Sequence, residues 1–109
     1  MILKIIRYSV LLICLCFSAL IYAETVWIDV RSAAEHKLDH IEGDVRITHS
    51  GITQTIGSVA ADKQAEIQLY CRSGGRAGHA LAALKAAGYT NVHNAGSIAA
   101  ARQQRDIVE

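Results

Sequence analysis

The stretch that decides the fold is EIQLYCRSGGRAGHALAALKAAGY, residues 66–89. Its first six residues form an apolar run that is typical of a β-strand, and its alanine-rich end, with Leu81 and Leu84, is typical of a helix. Gly88 stands where a helix commonly ends in a left-handed cap. Between the two lies a turn of glycines and arginines that begins with Cys71. We expect this turn to expose the cysteine.

The first 23 residues have the order of a secretory signal peptide. Two early cations, Lys4 and Arg7, precede an apolar run that ends in a small residue. We therefore predict a cleaved signal peptide over 1–23, a single domain over 24–109 and a periplasmic location. The alternative is an uncleaved membrane anchor, but the apolar run of 16 residues is shorter than the ~20 that span a bilayer.

The predicted domain has little net charge and one cysteine. It keeps all 10 acidic residues and 9 of the 11 Lys and Arg, which leaves a formal charge of −1. A near-neutral charge without basic clusters argues against a nucleic-acid partner. Because Cys14 and Cys16 belong to the leader, Cys71 is left without an internal disulfide partner.

Strand-like and helix-like segments alternate along the domain. Strands are predicted over 25–30, 44–47, 66–71 and 91–94, and helices from Ser32, over 52–59, over the alanine-rich segment and over 97–106. Ser32 and Glu35 have the spacing of a capping box. This alternation predicts an α/β fold with a central parallel sheet of about four strands flanked by helices. Ligands of such folds bind beyond the carboxyl ends of the strands, where Cys71 stands.

The composition of the turn favours a reactive thiol. Gly74 and Gly75 permit backbone angles that other residues avoid, so that successive N–H groups can point inward as an anion-binding nest. The following helix adds the positive end of its dipole. Both features lower the pKa of a thiol at the centre, and Arg72 and Arg76 can attract an anionic substrate. The alternative is that Cys71 is a small buried apolar residue.

The spacing within the turn separates two chemistries. Cysteine-dependent phosphatases place an arginine six residues after the nucleophile, whereas Arg76 stands five residues after Cys71. A loop one residue shorter forms a tighter cradle, which suits one sulfur atom better than a tetrahedral phosphate. A phosphatase or arsenate reductase is therefore the less favoured alternative.

Three segments resemble the rhodanese family. WIDVRSAAEHKLDHIEGDVRI resembles the N-terminal signature of the family, IQLYCRSGGRA its active-site loop, and LKAAGYTNVHNAGSI the helix, turn and strand that follow. The resemblance covers nearly all of residues 24–109 and is strongest to the small periplasmic rhodaneses of the phage-shock group. It implies a small rhodanese-like fold and a thiosulfate sulfurtransferase.

The resemblance also implies a mechanism. The Cys71 thiolate takes the outer sulfur of thiosulfate as a persulfide and passes it to cyanide or a small thiol. It implies a loop that binds substrate, formed by Arg72, Ser73, Gly74, Gly75 and Arg76, with Arg72 at the rim and Arg76 bracing the loop. We expect a monomer without cofactor or metal. The alternative is a non-enzymatic persulfide carrier that delivers sulfur to a protein partner.

Some residues match the family signature and others depart from it. Asp29, Arg31 and Glu35 match, and we expect them to form a polar network under the loop. Asp44 stands where alanine is usual and can reshape a turn, and Ser97 stands where a second glycine is common.

Overall fold

A computed structural model describes residues 24–108 of the protein. The predicted signal peptide concerns residues 1–23 and lies outside these residues. Within the described range, no helix has the length and apolar character needed to cross a membrane.

Strands and helices alternate along the described chain as predicted. The elements are β1 (Val26–Asp29), α1 (Ala33–Leu38), β2 (Val45–Arg46), a 3-10 turn (His49–Gly51), α2 (Ile52–Val59), β3 (Ile67–Cys71), α3 (Gly75–Ala86), β4 (Val92–Ser97) and α4 (Ile98–Gln104). The strands form one parallel sheet in the order β2-β1-β3-β4. The predicted α/β fold with a four-stranded parallel sheet is confirmed. Because β3 is an inner strand, its carboxyl end lies between the carboxyl ends of β1 and β4.

The predicted helix caps are present. The Ser32 hydroxyl accepts a hydrogen bond from the Glu35 backbone N–H at 3.3 Å, and the Glu35 carboxylate accepts one from the Ser32 N–H. Ser97 caps α4 in the same way by accepting from the Ala100 N–H at 3.0 Å. Gly88 follows the end of α3 with a φ of 100°, which is left-handed. Local side-chain chemistry therefore determines where these helices begin and end.

The two faces of the sheet pack against different helices. Successive strand residues point to opposite faces, so Leu69 and Cys71 join the larger apolar cluster with α2 and α3, whereas Tyr70 joins a smaller cluster with α4. Tyr70 and Cys71 both have 0 % of their surface exposed. β3 is therefore covered on both sides, which explains its nearly continuous apolar sequence.

The fourth strand is longer than predicted. Leu69 pairs with Asn94, but Tyr70 pairs with Gly96, so Ala95 is an extra residue in β4. Gly96 has a φ of 93° at this irregularity. The bulge lets the pairing with β3 continue as far as Cys71 and Ser97. A strand that includes such a bulge has no simple alternating pattern, which is why the sequence predicted an end at residue 94.

Asp44 connects the end of α4 to the sheet. Its carboxylate accepts a hydrogen bond from the Tyr70 hydroxyl at 2.7 Å and two from the Arg105 guanidinium at 2.6 and 3.0 Å. That guanidinium also lies 4.3 Å from the centre of the Trp27 ring. Burial, followed by the hydrogen bond to Asp44, raises the pKa of Tyr70, so its hydroxyl stays protonated. One carboxylate thus joins β3 to the residue that follows α4.

We expect Asp44→Ala to lower the free energy of unfolding by about 2 kcal/mol, because the buried Tyr70 hydroxyl loses its acceptor. Urea unfolding measures the change, and Glu42→Ala is the control because the Glu42 side chain is 96 % exposed. Adding Tyr70→Phe to Asp44→Ala should recover part of the loss, since no unpaired hydroxyl remains. A loss for Asp44→Ala below about 0.5 kcal/mol, the usual range for surface positions, would contradict this role.

Candidate active site

Cys71 lies at the carboxyl end of β3, but it is not exposed. The prediction of an exposed thiol is wrong, since Cys71 has no accessible surface. The sulfur is enclosed because the chain turns directly from β3 into α3, and the first residues of that helix pack over the strand end. A buried cysteine in an apolar cluster is ordinary in itself. The polar groups around this sulfur are unusual for a buried cysteine.

Backbone N–H groups converge on the Cys71 sulfur. The Gly74 N–H donates to Sγ at 2.9 Å. Burial alone would raise the pKa of the thiol, but N–H groups of Ala77, Ser73, Gly74 and Arg76 lower it, and together they outweigh burial. The pKa of Cys71 therefore lies below the usual range of a thiol, in the direction predicted from the sequence. These groups favour the thiolate, which is the nucleophilic form.

Gly74 is the residue that turns the chain around the sulfur. It has a φ of 96° and a ψ of −15°, a left-handed conformation, and it is the N-cap of α3. A Cβ here would also lie 3.5 Å from the Gly96 Cα. Gly75 differs from the expectation, because it is already the first residue of α3 and a Cβ there would meet nothing within 4 Å. One of the two glycines is thus required by the backbone geometry, and the other is not.

The two arginines of the loop have different surroundings. The Arg76 guanidinium forms a two-point ion pair with the Glu35 carboxylate, at 2.6 and 2.9 Å. Mainly through this hydrogen bonding, the pKa of Glu35 is lowered to about 2. The pair connects the first turn of α3 to the first turn of α1. Arg72 is exposed and has no hydrogen bond or ion pair within residues 24–108, so its charge is available to an anion.

Asp29 and Arg31 form a separate buried pair at the end of β1. The Arg31 guanidinium donates to both Asp29 oxygens and, at 2.6 Å, to the Asp39 carbonyl. Asp29 is fully buried, and the hydrogen bonds between the two side chains raise the pKa of Arg31. The predicted network is therefore two pairs, Asp29 with Arg31 and Glu35 with Arg76. Both flank one cavity of about 310 Å³, which is lined by Arg31, Glu35, Leu38, Asp39 and Arg72.

One residue beside the loop was not predicted from the sequence. The Asn94 side chain on β4 donates to the Gly74 carbonyl oxygen at 3.0 Å. Its only sequence signal is an asparagine two positions before a glycine, a common turn pattern. The contact depends on the bulge in β4, which sequence periodicity does not show.

The ion pair between Glu35 and Arg76 makes stability dependent on pH. Because folding lowers the pKa of Glu35 from 4.5 to about 2, its contribution is complete above about pH 4.5 and is lost as the pH falls towards 2. We expect Glu35→Gln, which keeps the capping geometry, to cost about 1 kcal/mol at pH 7, since a partly exposed pair is screened by water. Chemical unfolding of both proteins between pH 7 and pH 2 measures this difference, which should disappear at the acidic end. A difference that is constant with pH would contradict the assignment, and Glu42→Gln is the matched control.

Comparisons with known proteins match most of the chain. Residues 17–101 match the family described as Rhodanese-like domain. The chain is 32 % identical over 92 residues to the thiosulfate sulfurtransferase PspE of Escherichia coli, covering 84 % of this chain and 88 % of that protein. A solved structure described as a rhodanese with anions from E. coli superimposes with a TM-score of 0.68 at 31 % identity, covering 71 % of this chain and 91 % of the other.

A human structure extends the likeness of fold. The human single-domain sulfurtransferase TSTD1 superimposes with a TM-score of 0.59 at 21 % identity, over 78 % of this chain and 84 % of that one. The family match spans most of the chain and includes the whole β3–loop–α3 unit that holds Cys71. The chain therefore belongs to the rhodanese family, and the thiosulfate sulfurtransferase PspE of E. coli is among its relatives.

Proposed function

We propose that the protein is a thiosulfate sulfurtransferase that carries sulfur as a persulfide on Cys71 and transfers it to cyanide or a thiol. The observation that carries this proposal is the convergence of backbone N–H groups on a buried sulfur whose pKa they lower. PspE, the relative that matches over most of both chains, is named a thiosulfate sulfurtransferase. Transfer of a single sulfur atom, the reaction in that name, is also the reaction that suits the loop.

The reaction has two balanced steps. The Cys71 thiolate attacks the outer sulfur of thiosulfate, a new S–S bond forms, and the S–S bond of thiosulfate breaks. Sulfite leaves with that electron pair, and an anionic persulfide remains on Cys71. Cyanide or a thiolate then attacks the outer persulfide sulfur, and the Cys71 thiolate leaves in its original form. This is covalent catalysis of the ping-pong type.

The loop stabilises negative sulfur in both steps. The resting thiolate and the persulfide each place an anionic sulfur in front of N–H groups that are already oriented, so little reorganisation is needed. Arg72, exposed and without an ion-pair partner within residues 24–108, attracts the dianionic donor to the rim. Arg76 braces the loop through Glu35, because its guanidinium is already engaged. Since Cys71 has no exposed surface, the groups that cover its sulfur must shift for a donor to reach it.

We further propose that the protein acts after export, with residues 1–23 removed, as a periplasmic monomer. The support for export is the order of cations, apolar run and small residue in the leader. Intact mass of the protein recovered from a periplasmic fraction tests this. A protein that begins at Glu24 is expected, and full-length protein in the membrane fraction would favour the anchor.

We expect thiosulfate to add one sulfur, about 32 Da in intact mass, to the wild-type protein and none to Cys71→Ser. In a thiosulfate and cyanide assay that measures thiocyanate, Cys71→Ser should lose at least about 10³-fold in turnover, because the nucleophile is absent. Turnover that survives in Cys71→Ser would overturn the covalent mechanism. A persulfide that forms but never transfers sulfur to cyanide or small thiols would favour the carrier alternative. Hydrolysis of an aryl phosphate would favour the phosphatase.

We expect Arg72→Ala to raise KM for thiosulfate about 10-fold with little change in kcat, because the charge attracts the donor without joining the bond changes. Steady-state kinetics at low and high ionic strength measure this, and salt should reduce the difference. Lys85→Ala is the matched control, since it removes a cation from the last turn of α3, away from the loop. An equal effect of both variants would contradict a local role for Arg72.

A further inference from the structure

The Asn94 side chain makes two hydrogen bonds that fix its orientation. Its Oδ1 accepts from the Gly96 N–H at 2.9 Å, and its Nδ2 donates to the Gly74 carbonyl oxygen at 3.0 Å. One partner is only a donor and the other is only an acceptor, so the amide cannot be turned over without losing both bonds. The first bond closes a turn at the bulge of β4. The second crosses from β4 to the loop around the sulfur.

Gly74 is held from both of its ends. On one side its N–H donates to the Cys71 sulfur at 2.9 Å. On the other side its carbonyl oxygen accepts from the Gly78 N–H at 2.9 Å and from Asn94 at 3.0 Å. Glycine has few steric restraints of its own, so these bonds limit how far the residue can rotate. Of the two bonds to the Gly74 carbonyl oxygen, the bond from Gly78 is part of the first turn of α3, whereas the bond from Asn94 comes from β4.

We propose that Asn94 is a positioning residue, which holds Gly74 in its left-handed conformation so that the Gly74 N–H points at the Cys71 sulfur. Asn94 does not touch the sulfur, and it acts through Gly74. The proposal rests on the proposed function, because it assumes that a negatively charged sulfur is the working form of Cys71. It adds a residue of β4 to a site otherwise formed by the end of β3, the loop, α3 and Glu35 of α1.

The geometry favours asparagine over aspartate and serine at this position. An aspartate keeps the bond with the Gly96 N–H but has no hydrogen to donate to the Gly74 carbonyl. A serine can accept from the N–H two residues on in a similar turn, but its side chain is shorter and does not span the gap to Gly74. The Asn94 side chain also lies close to α3, since a Cβ added to Gly78 of that helix would lie 3.6 Å from its Nδ2. The bulge at Ala95, the turn to Gly96 and the bond to Gly74 therefore form one connected unit.

The experiment follows alkylation of Cys71 by iodoacetamide as a function of pH in the wild-type chain, Asn94→Ala and Asn94→Ser. We expect the apparent pKa of the thiol to rise by about 0.5 to 1 in both variants, because one donor to the thiolate is less well aligned. Alkylation below the wild-type pKa should then be about 3- to 10-fold slower. Asn94→Ser separates the two bonds of Asn94, since it keeps an acceptor for Gly96. An apparent pKa in Asn94→Ser equal to that of the wild type would overturn the proposal.

A second readout separates positioning from general stability. Amide NMR spectra of the same proteins should show the Gly74 N–H resonance moving upfield in Asn94→Ser as its hydrogen bond weakens, with little change in α2 or β1. His93→Ala is the matched control, because His93 is exposed on the same strand and bonds to Asn91 rather than to the loop. Loss of the folded state in Asn94→Ser, or equal effects of His93→Ala and Asn94→Ser on the thiol, would contradict the proposal.

The test also distinguishes this proposal from the proposed function, because alkylation does not require sulfur transfer. If Cys71→Ser retained turnover while Asn94→Ser still altered the thiol, the sulfurtransferase mechanism would fail and the positioning role would stand. If Cys71→Ser lost turnover while Asn94→Ser left the thiol unchanged, the mechanism would stand and the positioning role would fail.

Discussion

The structure around the site depends on one constraint, which is that a sulfur without solvent contact needs backbone N–H groups to carry negative charge. The Gly74 N–H meets the Cys71 sulfur at 2.9 Å, and other N–H groups of the same loop add to it. Such an arrangement needs a strand that ends inside the sheet, a residue with positive φ and a helix that starts at once. The end of β3 at Cys71, the left-handed Gly74 and the start of α3 at Gly75 supply these three parts within residues 71–75. Losing any of these parts would leave the buried sulfur with fewer donors.

In the part of the chain that the structure describes, the charged residues near the loop form pairs, except for Arg72. Asp29 neutralises Arg31, and Glu35 neutralises Arg76, so that four of the charges belong to the framework. Arg72 is left to interact with an anion from solution. The loop is held on the α1 side by the ion pair between Glu35 and Arg76 and is charged at its rim, which supports the small dianionic donor of the proposed reaction. It would suit a large neutral one poorly, because the sulfur has no exposed surface.

The sequence predicted the parts of the site that are local. Ser32 and Glu35 cap α1, Cys71 ends β3, and Gly74 turns the chain, and each of these follows from neighbours within a few residues. The long-range features could not be predicted, since they depend on how strands align. Asn94 reaches Gly74 because β4 contains a bulge. Cys71 is buried because α3 closes over the strand end, where the sequence alone suggested an exposed turn.

The smaller apolar cluster, on the face of the sheet opposite Cys71, includes a natural fluorescent probe. Trp27 is the one tryptophan of the whole chain, and it lies under the Arg105 guanidinium and 6.5 Å from the Tyr70 ring. Its emission therefore reports on the packing of α4 against the sheet, whereas the loop of residues 72–76 contains no aromatic side chain. Fluorescence can follow detachment of the C-terminal helix, and thiol chemistry can follow the loop. The two halves of the molecule thus carry independent natural probes.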